Sequence, residues 1–149
     1  MSRNGMSIFL VVAVMISACT RSSGIIYTPP ALEGEWIVRM TQSGGIMGMM
    51  RSIEVAADGR YVAADQRAGD IVKGEFTEDE LKDLMDMVAA LEFTSSLSTA
   101  ECADCFVFNV EIQGSGQKMI VQADDLSLED SGLEALVRFL SGKMDSALQ

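Results

Sequence analysis

The sequence predicts an α+β fold: an antiparallel sheet of four to five strands with two helices on one face, in the order ββ(β)αββα. Three observations carry this reading. Trp36–Met40, Ile53–Ala57 and Phe106–Ile112 place apolar side chains at every second position, the period of a strand. Thr77–Leu91 and the stretch after Ser127 place them at helical spacing instead. Asp58-Gly59 and Gly114-Ser115-Gly116 are short hairpin signals, and strands joined so closely must run antiparallel. Helices that are apolar on one side only then cover one face of such a sheet.

Taken in order, the elements begin with a strand over Glu35–Met40, whose Trp36, Val38 and Met40 share a face. Ile53 and Val55 continue on a second strand. The Asp58-Gly59 turn leads into Arg60–Asp65, and Ile71–Phe76 is the optional further strand. Thr77 and Glu80 form a capping box, with Phe76 and Leu81 at the hydrophobic-staple positions, so a helix starts at Thr77. Its Leu81, Leu84, Met85, Val88 and Leu91 face inward, while Asp79, Lys82, Asp83 and Asp86 form a solvated face. Glu92–Ala103 is a polar loop. Phe106–Ile112 and Lys118–Ala123 pair as a hairpin. The closing helix begins between Ser127 and Ser131 and buries Leu133, Leu136, Val137, Leu140 and Met144. The folded domain spans residues 34–149.

The segment before it reads as an address. Arg3 supplies a positive start, and Ile8–Ile16 is an unbroken apolar run. A spanning helix needs roughly 20 apolar residues, so residues 1–18 fit a signal peptide better. The string Ile16-Ser17-Ala18-Cys19 resembles the lipobox of bacterial lipoproteins. That resemblance implies cleavage before Cys19 and lipid attachment there, which anchors the chain stably in a membrane. By resemblance to bacterial sorting rules, Thr20 rather than Asp implies the outer membrane, facing the periplasm. Residues 19–33, with Ser22, Ser23, Gly24, Pro29 and Pro30, are expected to be a flexible tether.

Composition narrows the function classes. The formal net charge is −11, and no basic stripe exists to neutralise phosphates, which argues against nucleic acid. The chain contains no histidine. That removes Ser-His-Asp and Cys-His catalysis, His-ligated zinc and the usual general base near neutral pH. The expectation is a non-enzymatic protein without cofactor, resident metal or small-molecule substrate.

The candidate partner-binding loop is Ser43-Gly44-Gly45-Ile46-Met47-Gly48, within the Gly- and Met-rich stretch Thr41–Ser52. Glycines permit positive φ or close approach, and methionines adapt to irregular partners. The competing reading is a long connection whose methionines fold back onto the core. Gly44-Gly45-x-x-Gly48 is not a phosphate cradle, because it lacks the Lys-Ser/Thr of a P-loop and opens no helix.

Cys102-Ala103-Asp104-Cys105 has three readings. Zinc needs about four ligands, and none follow. A redox dithiol belongs where a strand feeds a helix, whereas this pair precedes a strand between acidic flanks. The remaining reading is a structural disulfide between Cys102 and Cys105, which fixes how the long loop enters the Phe106 strand. The carboxylate pairs Asp124-Asp125 and Glu129-Asp130 lack the aromatic platforms of a glycosidase cleft and the loop spacing of an EF-hand. They read as helix-start residues.

Residues 36–141 resemble the emfourin family, proteinaceous inhibitors of thermolysin-like (M4) metallopeptidases such as protealysin. The matching pieces are Ser43-Gly44-Gly45 with Gly48 and Arg51, the helix Glu78–Leu91 ending at Phe93, and the Phe106–Ile112 strand. Val121 with Asp124-Asp125, and Leu133, Leu136 and Leu140 of the closing helix, complete the set. The resemblance implies an α+β fold and a protein that blocks a protease by occupying its cleft, with the Gly/Met loop in the contact surface. The anchor, the tether and the cysteine pair are additions to that pattern. The alternative function is a structural or assembly lipoprotein of the envelope.

Overall fold

The computed structural model describes residues 26–94 and 102–149. The expected signal peptide, Cys19, the start of the tether and residues 95–101 of the polar loop lie outside the described residues.

The main sheet has six antiparallel strands: β2 (Ile37–Gly44), β3 (Met49–Ala56), β4 (Arg60–Asp65), β5 (Asp70–Glu75), β7 (Phe106–Gly114) and β8 (Gln117–Asp124). Their spatial order is β5-β4-β3-β2-β7-β8. A two-stranded ribbon pairs β1 (Ile26–Tyr27) with β6 (Phe93–Thr94). The helices are α1 (Glu78–Ala89), the single turn α2 (Leu128–Ser131) and α3 (Glu134–Ala147). Among the described residues, no helix is long and apolar enough to cross a membrane.

The core lies between one face of the sheet and the two long helices. Val38, Met40, Ile53, Val55, Val110 and Ile112 come from the strands, and Leu84, Val88, Leu136, Val137, Leu140 and Met144 from the helices. Helix α1 starts where the capping box predicts. Glu80 N–H donates to Thr77 Oγ1 at 3.2 Å, and Thr77 N–H donates to Glu80 Oε2 at 2.8 Å. The other Glu80 oxygen takes Lys143 Nζ of α3 at 2.7 Å, so one carboxylate caps α1 and ties the helices together. This lysine and the Thr77 backbone hold the Glu80 carboxyl below its ordinary range. The lysine ammonium also lies 5.0 Å from the centre of the Phe76 ring.

The α+β class holds, and three details of the element assignment change. The sheet has six strands rather than four to five. β5 is hard to read because its inward positions are Asp70, Val72 and Gly74 rather than an apolar row. The Tyr61 ring occupies the space beside Gly74 that a side chain would need. The closing helix is split: Gly132, left-handed at φ 81°, separates α2 from α3. A Cβ there would meet the Glu92 carbonyl, which is why glycine stands at the break. Phe93–Thr94, read as loop, is strand β6.

The described part of the expected tether, residues 26–33, lies against the domain rather than extending from it. Ile26 pairs with Thr94 and Tyr27 with Phe93. Pro30 is buried, and Leu32 packs on the core. The Ala31 carbonyl accepts from Ser115 Oγ at 3.1 Å. A proline-rich stretch has few hydrogen bonds of its own to satisfy, so it packs readily along an apolar surface.

Candidate functional site

β2 is a central strand, and this shortens the loop expected over Thr41–Ser52. Thr41, Gln42 and Ser43 pair with Ser52, Arg51 and Met50 of β3 on one side and with Asn109, Phe108 and Val107 of β7 on the other. Backbone groups paired on both sides stay in the ladder despite polar side chains. The ladder therefore runs to Gly44–Met49, and the turn is only Gly45–Gly48, closed by Gly48 N–H on the Gly45 carbonyl at 2.9 Å.

The turn rests on the cysteine pair. Cys102 and Cys105 are joined by a disulfide, with their Cα atoms 5.4 Å apart. Gly45 N–H donates to the Cys105 carbonyl at 3.2 Å. A Cβ on Gly44 would run into that same carbonyl, and one on Gly45 into the Phe106 ring. The glycine pair thus serves close approach as well as turning: two backbones meet where side chains have no room. From the other side, Asp125 Oδ2 accepts from Phe106 N–H at 2.7 Å, and Asp125 N–H donates to the Phe106 carbonyl at 3.1 Å. Asp124 Oδ1 accepts from the Ser127 hydroxyl at 2.7 Å and from the Ser127 and Leu126 N–H groups, which holds the Asp124 carboxyl below its ordinary range. These acids close a turn rather than cap a long helix. Glu129 and Asp130 sit exposed in the first turn of α2.

The structure therefore brings the expected loop and the expected disulfide to one end of the sheet. At their summit, Ile46 is 88% exposed, Met47 73% and Met50 41%. The reading in which the loop methionines fold back onto the core fails for Met47 and Met50. Met49 is half-buried, and with Met47 it lines a groove of about 270 Å³ with Arg51, Asp65, Arg67 and Ala68. Arg51 braces this side. Its guanidinium reaches Asp65 Oδ2 at 2.8 Å and Asp145 Oδ1 of α3 at 3.2 Å, and it holds the Asp65 carboxyl below its ordinary range.

Phe106, Asp65, Asp125 and Asp145 also belong to this site and are absent from the one expected from sequence. Each reaches it through strand register or helix packing across a long sequence separation, and neither leaves a local pattern to read. Chemically, the arrangement presents a soft apolar tip on a braced base. Among the described residues, no cluster of three or more His, Cys, Asp or Glu side chains is placed to hold a metal ion. Comparison with family models, with curated proteins and with solved structures finds no match for this chain.

Proposed function

We propose that this chain is a protein-binding module of the bacterial envelope, lipid-anchored through Cys19. Ser43, Gly44, Gly45, Ile46, Met47 and Gly48 form its contact surface. Its mode of action is that of the emfourin family: occupying the cleft of a thermolysin-like metallopeptidase. The observation that supports this most is the placement of Ile46 and Met47. They are among the most exposed large apolar side chains of the described residues, and the turn beneath them is pinned to the Cys105 backbone. Exposed apolar groups gain most from being covered. A tip already held in place loses little conformational freedom on docking. The methionine thioether fits surfaces of irregular shape.

The test adds the purified protein, at micromolar concentration, to a panel of thermolysin-like proteases. The expected result is loss of peptide hydrolysis and co-elution with at least one protease. Ile46→Ser with Met47→Ser should weaken the complex by about 2 kcal/mol or more, the scale of a hot-spot residue. Its melting temperature should stay unchanged, because neither side chain is buried. Undiminished hydrolysis and no co-elution across the panel would reject the inhibitory mode.

A further inference from the structure

The last strand of the sheet, β8, ends the order β5-β4-β3-β2-β7-β8 and, among the described residues, has a strand neighbour on one side only. Which of its backbone groups are used follows from the hairpin that makes it. Ser115 and Gly116 both take positive φ, 48° and 72°, the two-residue turn that closes on a hydrogen-bonded pair, here Gly114 and Gln117. At the far end, Asp125 N–H on the Phe106 carbonyl keeps the same alternation. Gln117, Met119, Val121 and Ala123 therefore bond to β7. Lys118, Ile120 and Gln122 point their N–H and C=O groups at the open edge.

Three further features mark this edge. Ile120 is 62% exposed beside it. A groove of about 610 Å³ runs along it, lined by Tyr27, Phe93, Met119 and Val121 among others. Lysine often blocks such edges by standing out from them. Here Lys118 instead lies back on Glu111 of β7, with Nζ–Oε1 at 2.8 Å. The charges are also self-complementary: Lys118 stands near one end of β8 and Asp124 at the other. The turn bonds of Asp124 from Leu126 and Ser127 all end on Oδ1 and none on Oδ2.

We infer that β8 pairs antiparallel with β8 of a second copy of this chain, about a two-fold axis beside Val121 and perpendicular to the sheet. That axis keeps the helices of both copies on the same side. It sets Ile120 opposite Gln122 of the second copy, where the two exchange backbone hydrogen bonds. Lys118 faces Asp124 of the second copy, twice by symmetry, and Val121 meets its own equivalent. Met119 and Ala123 of the second copy extend toward the Tyr27–Phe93 groove. An isologous contact of this kind closes on itself, so it yields a dimer and not a fibre.

The test uses the chain from Thr20 onward, which retains every described residue. Light scattering over low to high micromolar concentrations should report twice the monomer mass at the upper end. Hydrogen exchange should find the Lys118, Ile120 and Gln122 amides protected in the dimer and unprotected on dilution. Lys118→Glu turns both attractive pairs repulsive and should raise the dissociation constant by about tenfold or more. Ile120→Lys places a charge beside the axis, diagonally across from its own equivalent, and should abolish the dimer, with an unchanged melting temperature for the monomer. A monomer at every concentration, with those three amides exchanging freely, would overturn the inference. So would a dimer that both folded variants leave intact. Protection of the three amides only after addition of envelope extract would assign the edge to a different protein, and would equally overturn the second copy as its occupant.

Discussion

Gly44 and Gly48 both sit at positive φ, 106° and 58°, yet a methyl group would meet different surroundings at each. At Gly48 nothing lies within 4 Å of an added Cβ, so Gly48→Ala carries only the backbone penalty, roughly 1–2 kcal/mol. At Gly44 the added carbon meets the Cys105 carbonyl, an atom fixed by the neighbouring backbone. Gly44→Ala should therefore cost clearly more, about 3 kcal/mol, and should loosen the disulfide turn as well. Denaturant titration of the two variants measures the difference. Equal losses would mean that contact with the cysteine turn contributes nothing. A glycine-rich stretch between two strands was legible as a special place in the chain. Its second purpose, contact with a backbone about sixty positions away, was not, because only the β2–β7 register creates that contact.

Among elements, α1 was the most legible. The capping box and staple are local, and local patterns survive folding unchanged. β5 was the least legible, since its inward face holds a glycine under an aromatic ring where the pattern requires an apolar side chain. The break before α3 was hidden for a related reason: Gly132 answers to the Glu92 carbonyl, a neighbour in space and not in sequence. The Cys102–Cys105 bridge was legible as a staple, and its structural consequence belongs to this scale. Closing so short a loop stabilises the fold by only about 2 kcal/mol in the chain-entropy account. Replacing both cysteines by serine should therefore leave the domain folded. The hydrogen bond from Gly45 N–H to the Cys105 carbonyl should weaken, and amide exchange at Gly45 should speed up more than exchange in β3 or β4. Uniform acceleration across the sheet would instead make the bridge a global support.

At the scale of the whole molecule, charge sets the response to pH. Asp65, Glu80 and Asp124 are each held below the ordinary carboxylate range, first by Arg51, Lys143 and the Ser127 hydroxyl respectively. A carboxyl whose folded value is depressed stabilises the fold above its unfolded value, and that contribution disappears as pH falls through the folded value. The chain has no histidine to titrate near neutrality. The melting temperature should then be level between about pH 5.5 and 8 and should fall once pH drops below about 4.5. A loss of stability between about pH 6 and 7 would contradict this account. The fold class was legible because it rests on periodicity and hairpin signals. The assembly of the tip, the cysteine turn and the Arg51 brace was not, because it depends on which strands become neighbours.

Trp36, the chain's sole tryptophan, is 4% exposed and stands just before β2, at the opposite end of that strand from the Gly45–Gly48 turn. The strand between them is about 27 Å long. The molecule thus carries an intrinsic fluorophore that is remote from the exposed Ile46–Met47 tip. Its emission shifts to the red when indole meets water, so it reports collapse of the sheet and stays silent when something docks at the far end.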